Sequence, residues 1–288
     1  MTSANASIRP LGGGSGQPPD SRPRVLYADL DGTLVGPGGS LFAAGDPSPS
    51  IRAAEAVRSL HEAGVELVLV SGRGRPGLFE PSRILGADAF IAELGGLLVE
   101  RISTEEIVVP NFGAFEGTGS PYEAMARTGA AAFLLERFEG FLEPFRRFNL
   151  PSARVASMLF RGYVDPAEAT EALGSAGYGW LAVHDNGRVH GGSPALRVTT
   201  PHAIHLTPKG VDKPSAIALH RARHGIEREH AAAVGDSRSD LAMASEVGTA
   251  FLVANGVAGD IEDAPANAWV TASVHGDGFA EAVACLLG

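Results

Sequence analysis

Two aspartates one residue apart, Asp29 and Asp31, end a short apolar run in the stretch RVLYADLDGTLVG, and a Gly and a Thr follow at once. Carboxylates so close repel unless something positive lies between them. Ser71 stands at the end of a second apolar run, VELVLVSG, and Asp236 at the end of a third, HAAAVGDS. In an open parallel sheet, ligands bind beyond the carboxyl ends of the strands. If these strands are neighbours, the four side chains converge on one crevice. Hard oxygen donors of this kind suit Mg²⁺, which takes one or two carboxylates together with phosphate oxygens. The chemistry that fits is the handling of an anionic substrate around a divalent cation.

The elements that must position these groups alternate. RVLYA reads as a strand, SIRAAEAVRSLHEAG as a helix with Ser50 as N-cap and Gly64 past its end, and VELVLVSG as a second strand. DAFIAELGG is a third strand, continuing as a hairpin through LLVERI and EEIVVP. Toward the other end, KPSAIALHRARHG, DLAMASEVG and GFAEAVACLL read as helices, and HAAAVGDS and TAFLVAN as strands. This alternation predicts an α/β fold with a parallel sheet covered on both faces. The middle differs. SPYEAMARTGAAAFLLERFEGFLEPFRRF reads as helix-rich, followed by RVASMLFRGYV, the helical DPAEATEALGSAG, and strands in GWLAVHD and ALRVTT. The expected division is a tail over 1–23, disordered by its Gly, Pro and Ser content. A Rossmann-like core follows over 24–110 and 208–288, with an inserted α+β domain over 111–207.

DLDGTLV, VSGR, KGVDKPSAI and VGDSRSDLAM resemble, in order, the four motifs of the haloacid dehalogenase superfamily of phosphotransferases. Their spacing is similar to the Cof-type sugar-phosphatase branch, whose large α+β cap (type IIB) fills the long gap between the second and third motifs. The resemblance covers nearly all of Arg24 to Gly288 and is most specific in the core. It implies that Asp29 is the nucleophile that forms an aspartyl-phosphate and that Asp31 is the general acid and base, its backbone carbonyl also binding Mg²⁺. Ser71, helped by backbone N–H groups around Gly72, would hold a phosphoryl oxygen, and Arg73 would reach substrate. A lysine offsets the phosphoryl charge. Lys209 and Lys213 are both present, and the family spacing favours Lys213, which opens a helix. Asp236 is implied as the second carboxylate on the metal, with Asp240 orienting a metal-bound water or Lys213. Two positions depart from the pattern. Ser239 stands where Asn is frequent, which predicts weaker local hydrogen bonding, and Leu94 stands where related phosphatases often have Asn, which puts substrate contacts from that loop in doubt.

Specificity is expected in the cap, where the polar candidates are Arg146, Arg147, Arg154, Arg161, His184, Arg188, His190 and Arg197. HDNGRVHGG reads as a hairpin tip with Arg188 and His190 toward the substrate. The implied activity is Mg²⁺-dependent hydrolysis of a small phosphorylated metabolite, a sugar phosphate or a glycerate-type phosphate. A phosphomutase and a non-catalytic phosphometabolite sensor are the alternatives. The net charge of −10, from 33 acidic against 23 basic residues, argues against a nucleic-acid partner. No apolar run reaches the roughly 20 residues needed to span a bilayer, and the N-terminal stretch has no apolar signal core. The single cysteine, Cys285, allows no intramolecular disulfide, reads as a packing residue and suits a reducing cytoplasm. A monomer or homodimer is expected.

Overall fold

The computed structural model describes residues 9–10, 22–45, 48–102, 105–148, 152–189, 191, 193–256 and 264–288. In chain order the strands are β1 (Arg9–Pro10), β2 (Val25–Asp29), β3 (Glu66–Val70), β4 (Ala89–Ala92), β5 (Leu97–Ile102), β6 (Glu105–Pro110), β7 (Leu142–Pro144), β8 (Met158–Gly162), β9 (Leu181–Arg188), β10 (His202–Pro208), β11 (Ala231–Gly235), β12 (Thr249–Leu252) and β13 (Ala268–Val270). The helices are α1 (Arg52–Glu62), α2 (Arg75–Ile84), α3 (Pro121–Thr128), α4 (Ala130–Arg137), α5 (Pro166–Ser175), α6 (Lys213–His224), α7 (Arg238–Leu241) and α8 (His275–Leu287).

Among the described residues the strands form two sheets. The larger runs β1-β13-β12-β11-β2-β3-β4-β5-β6, and the smaller β7-β8-β10-β9. The larger sheet is parallel from β1 to β4, while β5 and β6 add antiparallel at one edge as the expected hairpin. Its central strands β2, β3, β4, β11 and β12 are buried on both faces, their apolar residues not alternating with polar ones, whereas the edge strand β6 is largely exposed. Leu26 and Ala28 of β2 face a core completed by α1 and α8, whereas Val25 and Tyr27 face one completed by α6. The smaller, antiparallel sheet packs on α3, α4 and α5 through Met125, Leu134, Phe160, Leu173 and Leu206.

Three local readings change. Arg9–Pro10, inside the stretch read as a disordered tail, pairs in parallel with Trp269 and Val270. The helix-rich segment breaks at Gly129 (φ +83°) and stops at Arg137, so LEP near its end is strand β7 instead. ALRVTT is not a strand. The pairing strand is β10, a few residues later, where His202–Leu206 finds β8 on one side and β9 on the other. The β-branched residues of ALRVTT have the right propensity but no partner, and pairing decides. At α1, Ser50 Oγ accepts the N–H of Arg52 (3.3 Å) and donates to Asp277 of α8 (2.6 Å), tying two helices on one face of the sheet. No helix among the described residues is long and apolar enough to cross a membrane.

Candidate active site

Strands β11, β2 and β3 are consecutive neighbours, so Asp236, Asp29 and Ser71 emerge side by side at one end of the sheet. α6 starts above the same end. Its N-cap Asp212 accepts the N–H of Ser215 at 2.8 Å while Ser215 Oγ accepts the N–H of Asp212, a capping box that sets where Lys213 enters the crevice. Lys213 is 1% exposed and donates to Asp29 Oδ1 (2.8 Å) and Asp240 Oδ1 (2.5 Å). The other oxygen of Asp240 accepts the N–H of Asp236 (3.1 Å), the N–H of Ser237 (2.9 Å) and Ser237 Oγ (2.5 Å). Both oxygens of Asp240 are therefore engaged in holding Lys213 and the loop after β11. Lys209, by contrast, is exposed at the turn that follows β10.

One oxygen each from Asp29, Asp236 and Asp240 lies within 4.8 Å of the others. Burial, with repulsion from Asp240 and Asp236, raises the Asp29 carboxyl well above the usual range despite Lys213. Asp236 is pushed up to about 7, first by burial and then by Asp240. Burial opposes the charge on Lys213, but Asp240 and Asp29 more than offset it and raise its pKa, so it stays an ammonium. One ammonium thus serves three clustered carboxylates. The excess negative charge, presented by hard oxygens, is what a divalent cation such as Mg²⁺ would neutralise, and Asp29 and Asp236 are the residues that could hold it. The loop after β2 is shaped to let Asp236 in. Gly32 has φ +88°, and a Cβ there would collide with the Asp236 carboxylate.

Asp31 turns away from this cluster. Its half-exposed carboxylate is gripped by Arg73, with Nε on Oδ2 (2.7 Å) and Nη2 on Oδ1 (2.5 Å). Arg73, expected to reach substrate, therefore engages the expected acid–base residue in this state. Ser71 is buried and its Oγ accepts the N–H of Arg73 at 3.2 Å. Gly72 sits where the two lobes meet, and a Cβ on it would be 2.5 Å from Asn186 Nδ2 and 2.8 Å from His205 Nε2. Arg188 is exposed at the end of β9, and His190 lies outside the described residues, as does the side chain of Arg147. Arg146 and Arg197 are exposed, and Arg161 is paired with Glu143 within the smaller sheet.

Several groups facing the crevice escaped the sequence reading. Asn186 lies on a bulge, since Asn186 and Gly187 together oppose Ala203 between the pairs Arg188–His202 and Asp185–Ile204. There its Oδ1 accepts from Ser239 Oγ (3.1 Å), which also bonds Ser237 Oγ (2.8 Å), so Ser239 is well bonded where weakened bonding was expected. Asn255, just past β12, donates to the Gly32 carbonyl (2.9 Å) and approaches Asp236 Oδ2 (3.4 Å). The strand-end rule that picked out Asp236 would have found it. His205, likewise unmarked in the sequence, faces the cap candidate His184 across β9 and β10, and burial lowers the pKa of both, so the imidazoles are neutral.

The junction of the lobes is held by Glu93. Its fully buried carboxylate accepts the N–H groups of Val155 (2.9 Å), Ala156 (3.1 Å) and Ser157 (2.8 Å) and the Ser157 hydroxyl (2.9 Å). Arg154 adds a bond to the Gly72 carbonyl at 3.0 Å. Glu93 and Leu94 adopt φ +55° and +59°, a left-handed conformation costly for both, and Leu94 is the position where Asn, which tolerates it, was noted as frequent. Replacing Glu93 with Ala orphans four donors, three of them buried and that of Val155 partly so, each buried one costing about 1–3 kcal/mol. A lowered urea midpoint and a raised KM with kcat less affected are expected. Unchanged values of both would refute the clamp.

Residues 193–283 match the model of the haloacid dehalogenase-like hydrolase family. The chain is 28% identical over 266 residues to a phosphoglycolate phosphatase of Methanothermobacter thermautotrophicus, covering 92% of this chain and 99% of that one. It is 27% identical over 261 residues to a phosphoglycolate phosphatase of Methanoculleus marisnigri, covering 90% and 95%. Among solved structures it is similar to the sucrose-phosphatase of Synechocystis sp. PCC6803 in complex with sucrose and phosphate, with a TM-score of 0.61, 17% identity, and 92% and 98% of the chains covered.

Proposed function

We propose that this chain, a haloacid dehalogenase-like hydrolase, is a Mg²⁺-dependent phosphomonoesterase that cleaves a small phosphorylated metabolite through an aspartyl-phosphate. The observation that carries the reading is the buried Asp29 carboxylate, held by Lys213 through Oδ1 at the end of β2 and backed by Asp236 and Asp240. The second oxygen of Asp29 attacks phosphorus as the bond to the leaving oxygen breaks, and Asp31 protonates that oxygen. Asp31 then takes a proton from water, which attacks the aspartyl-phosphate, restores Asp29 and releases inorganic phosphate. Asp29, Asp236 and the Asp31 carbonyl would hold Mg²⁺, which would supply charge neutralisation at the crowded anionic site. Ser71 and Lys213 hold the equatorial oxygens. For Asp31 to act, Arg73 must release it or swing with it. The leaving group lies toward the smaller sheet, where Asn186 and His205 meet Gly72.

The test is phosphate release from phosphoglycolate, sugar phosphates and glycerate-type phosphates, with Mg²⁺ or with EDTA. The relatives' names make phosphoglycolate the first compound to try. Release that EDTA abolishes supports the reading. A folded protein that binds Mg²⁺ and hydrolyses none of them would overturn it, and phosphoryl exchange between a sugar bisphosphate and a monophosphate would then reveal a mutase. The pH dependence has a definite sign. Because the Asp236 carboxyl is raised to about 7 before a cation binds, Mg²⁺ must displace a proton below that pH. Affinity for Mg²⁺ is expected to fall by up to about tenfold per pH unit below 7, read by calorimetric titration. A flat profile from pH 5 to 8 would contradict the assignment.

A further inference from the structure

On the α6 face of the larger sheet, away from the crevice, a second cluster has the composition of a transition-metal site. The register places Tyr27, Val68, Ala89 and Glu100 in one row across β2, β3, β4 and β5. α6 crosses this row and puts His220 and His224, four residues apart, on one helical face above it. One ligand atom from each of Glu100, His220 and His224 lies within 4.8 Å of the others, and the two imidazole centroids are 4.5 Å apart. His224 Nε2 is already 2.9 Å from Glu100 Oε1.

The unexplained atom is His220 Nε2. The side chain is wholly buried and its Nδ1 is 2.8 Å from the Tyr27 hydroxyl, but Nε2 makes no hydrogen bond among the described residues. Glu66 Oε1 is 3.2 Å away but off the direction in which that nitrogen bonds. A buried imidazole nitrogen without a partner costs about 1–3 kcal/mol. The tyrosine hydroxyl can accept a hydrogen bond from Nδ1–H, which leaves the lone pair on Nε2, the arrangement found when an outer partner orients a metal-ligating histidine.

We propose that Glu100, His220 and His224 bind a zinc-class divalent ion, with Glu66 or water completing the coordination. Two imidazoles and a carboxylate select Zn²⁺, Co²⁺ or Ni²⁺ over Mg²⁺, whereas the catalytic cluster offers only oxygen. Arg223 now donates to both oxygens of Glu100, through Nε to Oε1 (2.9 Å) and Nη2 to Oε2 (2.7 Å), so binding at Oε1 retains the second contact and gives up the first. The ion would pin α6 to β5 some seven residues, or about 10 Å of helix, beyond Lys213. Its role is to tie α6 to the larger sheet at a point remote from the crevice, whatever the substrate is.

The test titrates the metal-stripped full-length protein with Co²⁺ in excess Mg²⁺. Visible absorption is read alongside bound Zn²⁺ by elemental analysis. The parent and Asp236→Asn are both expected to bind one high-affinity Co²⁺ with the intense bands of a tetrahedral site. His224→Ala, at a partly exposed position tolerant of change, is expected to lose at least about tenfold in affinity and to leave Mg²⁺-dependent phosphate release unchanged. Glu100→Gln should show the same loss. Equal Co²⁺ affinity in His224→Ala and the parent, or loss of the bands in Asp236→Asn alone, would overturn the proposal.

Discussion

Asp29→Asn is expected to lower phosphate release by about 10⁴-fold or more with the fold intact. The amide fits the same space beside Lys213, so the fold has no reason to fail. It is a far weaker nucleophile, so the covalent route closes. The substitution also removes one of the carboxylates crowded around a single ammonium, two of which carry raised pKa values. The metal-free variant should therefore melt at a higher temperature than the parent at pH 8. The sign follows from linkage. A carboxyl whose folded pKa lies above its unfolded value binds more protons in the folded state, so the parent loses stability as pH rises through that interval, and the amide variant, in which only Asp236 still titrates this way, loses less. The difference should shrink toward pH 4, and an inactive variant that melts lower at every pH would refute the electrostatic account of the cluster.

Lys213→Ala is the harsher change. The ammonium bridges Asp29 and Asp240, and both carboxylates are buried. Removing it leaves two buried charges uncompensated, a loss of about 3–5 kcal/mol, and removes the cation proposed to meet the phosphoryl oxygens, a role worth about 10²–10³-fold in kcat. Mg²⁺ should recover part of the stability and little of the activity. Lys209→Ala, at an exposed turn, is expected to leave both within about twofold. A larger loss from Lys209→Ala than from Lys213→Ala would reverse the choice of lysine.

The chemistry-bearing residue types were legible in the chain because they are local. DLDGTLV, VSGR and VGDSRSDLAM each place their polar group directly after a strand, and the parallel sheet carries all such ends to one side. The helix that opens at Lys213 was equally legible, since Asp212 and Ser215 cap it and Gly225, at φ +56°, closes it. ALRVTT shows the limit, because its residues suit a strand but strandedness belongs to the pair, and β10 holds the partners. Glu93 was out of reach for the same reason on a larger scale. Its four bonds run to residues 62 to 64 positions away, and in the sequence it is one more acid after a strand. Asn186 enters the crevice only because a bulge at Gly187 turns it there, and the pairing of Arg73 with Asp31 joins residues 42 positions apart. The sequence by itself determined which groups could react and on which side of the sheet they gather, for strand polarity and capping act over a few residues. Only the tertiary structure decided which lysine is buried between carboxylates, what closes the lobes, and what meets His220, because those contacts join segments whose spacing along the chain carries no record of their distance in space.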